Sequence, residues 1–134
     1  MNNPTAMLFL CVANSARSQM AEGVARYIAP KGVTIYSAGS EPSQVNPLAI
    51  RAMKELGIDI SAHRSKAIEE IPLGTVDVVI TLCEDEVCPT LPGKVKHLHW
   101  PFPDPAAAEG TAEDVLAAFR RVRDEIRERV SGLF

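Results

Sequence analysis

A cysteine and an arginine six residues apart, Cys11 and Arg17, lie where an apolar run gives way to a helical pattern. The short polar loop between them directs backbone N–H groups and a helix dipole at one point, where an oxyanion can bind. A thiolate beside that point is stabilised as a nucleophile, and a guanidinium can bind two oxygens of a tetrahedral anion. The simpler alternative is a buried structural cysteine and a surface arginine, which this loop chemistry disfavours.

The candidate oxyanion-binding residues are those of the loop and the start of the helix. They are Val12, Ala13, Asn14, Ser15, Ala16, Arg17 and Ser18. Asn14 can hold the loop through hydrogen bonds to its backbone, and Ser18 can donate to the thiolate.

A carboxyl group follows the last strand pattern in the segment Trp100–Pro105. Asp-Pro is common in ordinary turns. Displacement at a tetrahedral centre, however, needs a proton for the leaving oxygen. Asp104, in a loop at the same sheet edge as Cys11, could supply that proton.

Two further cysteines, Cys83 and Cys88, follow the third strand pattern. They are either incidental thiols, ligands of a soft metal or members of a thiol–disulfide relay. His97 and His99 are the nearest additional ligands, which is too weak a set to predict a zinc site. The relay is favoured because successive thiolates can attack one another's sulfur. No metal and no cofactor is predicted.

Strand patterns alternate with helical ones along the chain, which predicts an α/β fold with a parallel sheet. The strands are expected at 6–11, 33–38, 76–82 and 95–100, and the main helices at 17–29, 46–56 and 112–130. Ligands of such sheets bind beyond the carboxyl ends of the strands. This topology places Cys11, Ser37, Cys83 and Asp104 at one sheet edge.

Length and composition limit the classes of protein to consider. The chain has 134 residues, 46% of them apolar, which suits one domain over 1–134 with a loose tail at 1–5. A net charge of −3 argues against nucleic acid as a partner. Three cysteines and no targeting or membrane segment indicate the cytoplasm. We expect a monomer that does not bind membranes.

The stretch from Cys11 to Glu22, CVANSARSQMAE, resembles the phosphate-binding loop of low-molecular-weight protein tyrosine phosphatases and of the related thioredoxin-coupled arsenate reductases. The stretches 36–39 and 57–63 are similar to the same superfamily, and the resemblance covers the chain from about Met7 onward. It implies a three-layer fold with a four-stranded parallel sheet flanked by helices. It also implies that an Asp-Pro aspartate, here Asp104, is the general acid.

The two later cysteines make the chain similar to the reductases. The resemblance implies that Cys11 attacks arsenate, Cys83 then attacks Cys11, and Cys88 attacks Cys83, leaving a disulfide that thioredoxin reduces. Four residues separate Cys83 from Cys88, fewer than is usual in those reductases. A tyrosine phosphatase and a non-catalytic thiol or metalloid sensor are the alternatives.

A further departure concerns potassium, which some of these reductases bind near the loop. Asn14, Glu22 and Ser37 match three of their ligands, but Lys66 stands where an aspartate is usual. Our hypothesis is that an ammonium group replaces the ion and that this chain does not depend on potassium.

Overall fold

An apolar run at the start of the chain forms the central strand of the molecule. The computed structural model describes residues 6–83 and 95–134. Its strands are β1 (Ala6–Cys11), β2 (Thr34–Gly39), β3 (Val78–Thr81) and β4 (Lys96–His99). Its α-helices are α1 (Arg17–Ile28), α2 (Pro47–Lys54) and α3 (Ala112–Ser131).

The four strands form one parallel sheet in the order β2-β1-β3-β4. β1 is buried along its whole length, as expected of a strand that is apolar on both faces. The register pairs Cys11 with Gly39 and Leu10 with Thr81. The carboxyl ends of β1, β2 and β3 therefore meet at one side of the sheet, and β4 is an edge strand.

The sheet has a different cover on each face. All three α-helices contribute to the larger apolar cluster, which contains Met7, Phe9 and Ile80 of the sheet. The opposite face carries a smaller cluster with Leu8 and Leu10, covered by the segment 68–76 and its two short 3-10 turns. The predicted fold class is confirmed, and in the described residues the second cover consists of 3-10 turns and extended chain.

Local sequence signals set the helix ends. Asn46 caps α2 by accepting a hydrogen bond from the Leu48 N–H at 2.8 Å, and proline occupies the first helical position. Thr111 and Asp114 form a capping box at the start of α3. β3 is shorter than the predicted strand 76–82. No helix in the described part of the chain is long and apolar enough to cross a membrane.

Candidate active site

The Cys11 thiol lies at the carboxyl end of β1, where it begins the loop of residues 12–16, called here the Cys11 loop. Its Sγ is 2.9 Å from the Ser18 hydroxyl oxygen. Asn14 Nδ2 donates to that same oxygen at 2.7 Å, so the Ser18 proton is free to point at the sulfur. The structure therefore gives the thiolate a hydrogen-bond donor.

Asn14 holds the loop from within. It is fully buried and has a φ of 48°, in the left-handed region that asparagine tolerates better than most residues. Its Oδ1 accepts from Gln19 Nε2 at 2.9 Å and from the Lys66 N–H at 2.8 Å. The same side chain thus ties the loop to α1, to the segment before the first 3-10 turn, and to Ser18.

The loop carbonyl groups point outward. The backbone N–H groups of segment 41–46 donate to the carbonyls of Val12, Ala13 and Ser15, and the Ser65 hydroxyl also donates to Ala13. A trans peptide directs its N–H opposite to its carbonyl. The N–H groups that follow these carbonyls therefore face the inside of the loop, beside the amino terminus of α1. This arrangement can bind an anion.

Gly39 lets the loop pack against the end of β2. A Cβ atom on this residue would lie 2.3 Å from the Val12 carbonyl oxygen and 2.9 Å from the Asn14 nitrogen. Only glycine allows this close approach of two backbones.

Arg17 lies between the ends of the two later strands. It is 5% exposed, and its Nη1 donates to the carbonyls of Phe102 at 3.0 Å and Leu82 at 3.4 Å. Its Nη2 is 4.0 Å from Asp104 Oδ2. The guanidinium therefore connects the Cys11 loop with the segments that carry Cys83 and Asp104.

Asp104 is held at the mouth of the site. Its Oδ1 accepts from the Ala106 N–H at 3.0 Å, which fixes the carboxyl group and directs Oδ2 towards Arg17. The Asp104 side chain is 40% exposed, so it can exchange protons with solvent. Both features suit a general acid.

Cys83 follows β3 at the same edge as Cys11. The Leu82 N–H donates to the Leu10 carbonyl at 2.9 Å, which continues the pairing of β3 with β1 up to the residue before Cys83. Cys83 is buried and disulfide-bonded, whereas Cys11 is a free thiol. Cys88 lies outside the described residues, and its predicted role stays a prediction.

Behind the loop, the Glu22 carboxylate of α1 is 4% exposed. The Ser37 hydroxyl donates to it, as does Arg26 Nε at 2.7 Å. Burial alone raises the pKa of Glu22, but the Ser37 hydrogen bond and the charges of Lys66, His63 and Arg26 outweigh it and hold the pKa below its usual 4.5. Glu22 is therefore a buried carboxylate in its ionised form.

The whole chain from Ala6 onward matches one protein family. Residues 6–134 fit the model of the low molecular weight phosphotyrosine protein phosphatases. The chain belongs to this family.

Among its relatives in the family, the arsenate reductase of Halalkalibacterium halodurans is 49% identical over 130 residues, 96% of this chain and 94% of that one. A solved structure described as an arsenate reductase in the phosphate binding state matches with a TM-score of 0.83 and 38% identity, covering 96% and 95% of the two chains. A thioredoxin-dependent arsenate reductase of Corynebacterium glutamicum matches with a TM-score of 0.70 and 28% identity, covering 98% of this chain and 63% of that one.

Among the residues that the structure describes, the predicted site residues lie together at the carboxyl ends of the strands. Three contributors were missed by the sequence analysis: Gln19, Gly39 and Ser65. Gln19 is fully buried and donates to Asn14 and to the Arg64 carbonyl at 3.0 Å. It shares a helix face with Glu22 and Arg26, so the sequence pattern gave no signal that it is buried.

No group of His, Cys, Asp and Glu side chains within residues 6–83 and 95–134 could hold a metal ion. The buried side-chain nitrogens and oxygens of these same residues all have hydrogen-bond partners. Each buried side-chain nitrogen and oxygen behind the Cys11 loop therefore has at least one partner within the chain.

Proposed function

We propose that this chain is an arsenate reductase that converts arsenate to arsenite through a three-cysteine relay and is regenerated by thioredoxin. The reductase activity is supported by its relatives named arsenate reductases, and the choice of thioredoxin by the thioredoxin-dependent one. The proposal gives Cys11, Arg17, Cys83, Cys88 and Asp104 the catalytic roles.

In the first step, arsenate binds to the inward N–H groups of the Cys11 loop and to Arg17. Arg17 leaves its carbonyl partners to face the anion with two N–H groups. The Cys11 thiolate attacks arsenic, an S–As bond forms, and one As–O bond breaks. Asp104 gives its proton to the departing oxygen, which leaves as water.

In the second step, the Cys83 thiolate attacks the Cys11 sulfur. An S–S bond forms, and the electron pair of the S–As bond stays on arsenic, which is thereby reduced from As(V) to As(III) and leaves as arsenite. Cys88 then attacks the Cys83 sulfur and releases the Cys11 thiolate. The dithiol of thioredoxin supplies the two electrons that reduce the remaining disulfide.

One observation carries the choice of a reductase over a hydrolase. Cys83 follows the strand next to Cys11 and is in a disulfide, while Cys11 remains a free thiol. Phosphate ester hydrolysis needs the first thiol, Arg17 and Asp104, but it needs no second thiol. A second sulfur that pairs in a disulfide can supply electrons to arsenic, which the reduction requires and the hydrolysis does not.

The test measures arsenate-dependent NADPH consumption with purified thioredoxin and thioredoxin reductase. We expect turnover by the unmodified chain and loss of it in Cys11→Ser and Cys83→Ser. Cys88→Ser should release about one arsenite per chain and stop with Cys11 and Cys83 joined, as peptide mass mapping would show. Continued turnover of Cys88→Ser would rule out the relay.

Aryl-phosphate hydrolysis is the matched control, because the same loop and acid serve both anions. Cys83→Ser should keep any weak hydrolysis while it loses arsenate reduction. If hydrolysis is the only activity and Cys83→Ser does not change it, the chain is a phosphatase. Stoichiometric arsenite or zinc binding without any turnover would instead indicate a sensor.

The proposal also includes a monomer in the cytoplasm that needs no added cofactor. Size-exclusion chromatography tests the monomer: the protein should elute at the mass of one chain, with and without thioredoxin. Fractionation of cells that express the protein tests the location in the cytoplasm.

A further inference from the structure

The Glu22 cluster, defined here as Glu22 with Ser37, Arg26, Lys66 and His63, lies directly behind the Cys11 loop. Lys66 Nζ is 3.5 Å from Glu22 Oε1, and His63 Nδ1 is 3.9 Å from Glu22 Oε2. The Lys66 side chain is only 16% exposed. A buried carboxylate is thus neutralised from within the chain rather than by solvent.

Lys66 also contacts the loop and the end of β2 through its backbone. Its backbone N–H donates to Asn14 Oδ1 at 2.8 Å, and its carbonyl accepts from the Gly39 N–H at 2.9 Å. Its ammonium group also donates to the Arg64 carbonyl at 2.9 Å. The pull of Glu22 on the ammonium therefore helps to fix the backbone that orients Asn14.

Asn14 connects the Lys66 backbone to the Cys11 nucleophile through Ser18. Its amide nitrogen donates to Ser18 Oγ, and Ser18 Oγ is 2.9 Å from Cys11 Sγ. A displacement of Lys66 would release one of the two hydrogen bonds on Asn14 Oδ1. The Ser18 proton would then be less firmly directed at the sulfur.

The potassium site implied by the family resemblance does not fit these residues. The Lys66 ammonium already lies 3.5 Å from Glu22 Oε1, at the carboxylate that the ion would need. Potassium at Glu22 would lie against a positive charge. The Lys66 ammonium therefore disfavours a second cation at this carboxylate.

We propose that the Lys66 ammonium is a built-in cation of the Cys11 loop, so that Lys66 is a positioning residue and the protein does not depend on potassium. The inference concerns the site of the proposed function and rests on it for the meaning of activity. Two of its readouts, thermal unfolding and thiol alkylation, need no arsenate. It can therefore fail or succeed separately from the reductase proposal.

The experiment compares Lys66→Met, Lys66→Arg and Lys66→Asp in sodium and potassium chloride at equal ionic strength, with reduced protein. Tm is measured, together with the rate at which iodoacetamide alkylates Cys11, followed by peptide mass mapping. Lys31→Met is the matched control, because Lys31 is exposed in the turn after α1. Lys31→Met should have the same Tm and the same rate of Cys11 alkylation as the unmodified chain in both salts.

We expect the unmodified chain to behave alike in both salts. Lys66→Met should lower Tm by about 5–10 °C and slow Cys11 alkylation about tenfold, whereas Lys66→Arg keeps most of both. Lys66→Asp should be the least stable variant in sodium and recover most of its Tm and alkylation rate in potassium. This ion-specific recovery would not follow from a general structural defect.

Three results would overturn the inference. The first is a higher Tm or faster alkylation of the unmodified chain in potassium than in sodium. The second is a Lys66→Met variant as stable and as reactive as the unmodified chain. The third is a folded Lys66→Asp variant that responds equally to both ions.

Discussion

Two glutamates, Glu22 in α1 and Glu55 at the end of α2, are both paired with basic side chains but lie at different depths. The Glu22 side chain is 4% exposed, and that of Glu55 is 34% exposed. Arg120 and Arg123 bind Glu55 with contacts of 2.7 and 2.8 Å, as short as the Arg26 contact to Glu22. Both are carboxylates paired with basic side chains. We therefore expect a difference in their contributions to stability and to the site to come from burial and from the segments that each pair connects.

The Glu55 pairs join α2 to α3. Glu55 itself is partly exposed, so water can replace a partner that it loses, although Arg123 is buried. The Glu22 cluster joins α1, β2 and the segment around Lys66 behind the Cys11 loop, where water cannot do so. The comparison indicates that the buried carboxylate fixes the site, whereas the exposed one adds to the contact between two helices.

The largest effect should come from the same substitution, glutamate to glutamine, at the two positions. Glu22→Gln should cost about 3 kcal/mol of unfolding free energy, because Lys66 would keep its charge in a buried place without a counter-charge. It should also weaken the binding of inorganic phosphate to the Cys11 loop. Urea unfolding and a phosphate titration measure the two effects.

Glu55→Gln is the matched control, and phosphate affinity should be unchanged in it. Equal losses of stability in the two variants would show that depth does not separate these clusters. Unchanged phosphate affinity in a folded Glu22→Gln variant would remove the link between Glu22 and the loop.

The next effect should come from the hydroxyl that donates to Glu22. Ser37→Ala leaves the buried Glu22 Oε1 with one hydrogen-bond donor fewer, so we expect a loss of about 1–3 kcal/mol. Ser131→Ala is its counterpart on the surface, since the Ser131 hydroxyl donates at 2.7 Å to Arg127 in an exposed turn of α3. Ser131→Ala should leave the stability almost unchanged. Equal shifts of the urea midpoint in Ser37→Ala and Ser131→Ala would contradict the expectation.

Much of this arrangement could be predicted from the sequence because the signals are local. The limits of β1, the Asn46 cap and the candidate residues Cys11 and Arg17 all follow from neighbours a few positions away. The parallel topology then places Cys83 and Asp104 at the same edge. The relay role of Cys88 stays a prediction.

The contacts that hold the site could not be predicted in this way. Gln19 meets Arg64 across 45 positions, and Lys66 meets Asn14 across 52. Such bonds depend on how two segments pack, which no local pattern records. β3 likewise begins two residues later than the apolar run, because regular pairing with β4 starts only at Val78.

A smaller effect should appear in the pH dependence of stability. Burial lowers the pKa of His63 below its usual 6.5, and this outweighs the opposing effect of the Glu22 carboxylate. The unfolded chain therefore binds a proton more readily than the folded one. The contribution of neutral His63 is complete above pH 6.5 and declines as the pH falls from there towards its lower folded value.

His63→Gln should remove this decline and reduce proton uptake on unfolding by less than one proton per chain. Urea unfolding over a series of pH values measures the slope. His97→Gln, in the exposed edge strand, is the control and should keep the original slope. The same slope in His63→Gln as in the unmodified chain would assign the decline to other groups.

The smallest effect should be that of Glu55→Gln on stability. The Arg120 and Arg123 hydrogen bonds, against a small opposing effect of desolvation, lower the pKa of Glu55 to about 2. A lowered carboxylate pKa stabilises the fold above pH 4.5, and the contribution disappears as the pH falls towards 2.

Exposed pairs are screened by salt. The small drop in Tm should therefore vanish at high ionic strength, whereas the loss in Glu22→Gln should remain. Arg123 explains why the drop is small: it keeps the Asp124 carboxylate at 2.9 Å when Glu55 is gone, so its buried charge retains a counter-charge. Glu128→Gln, on the exposed face of α3, gives the baseline for losing one surface charge. A loss in Glu55→Gln that persists in high salt would place this glutamate with the buried cluster and not opposite to it.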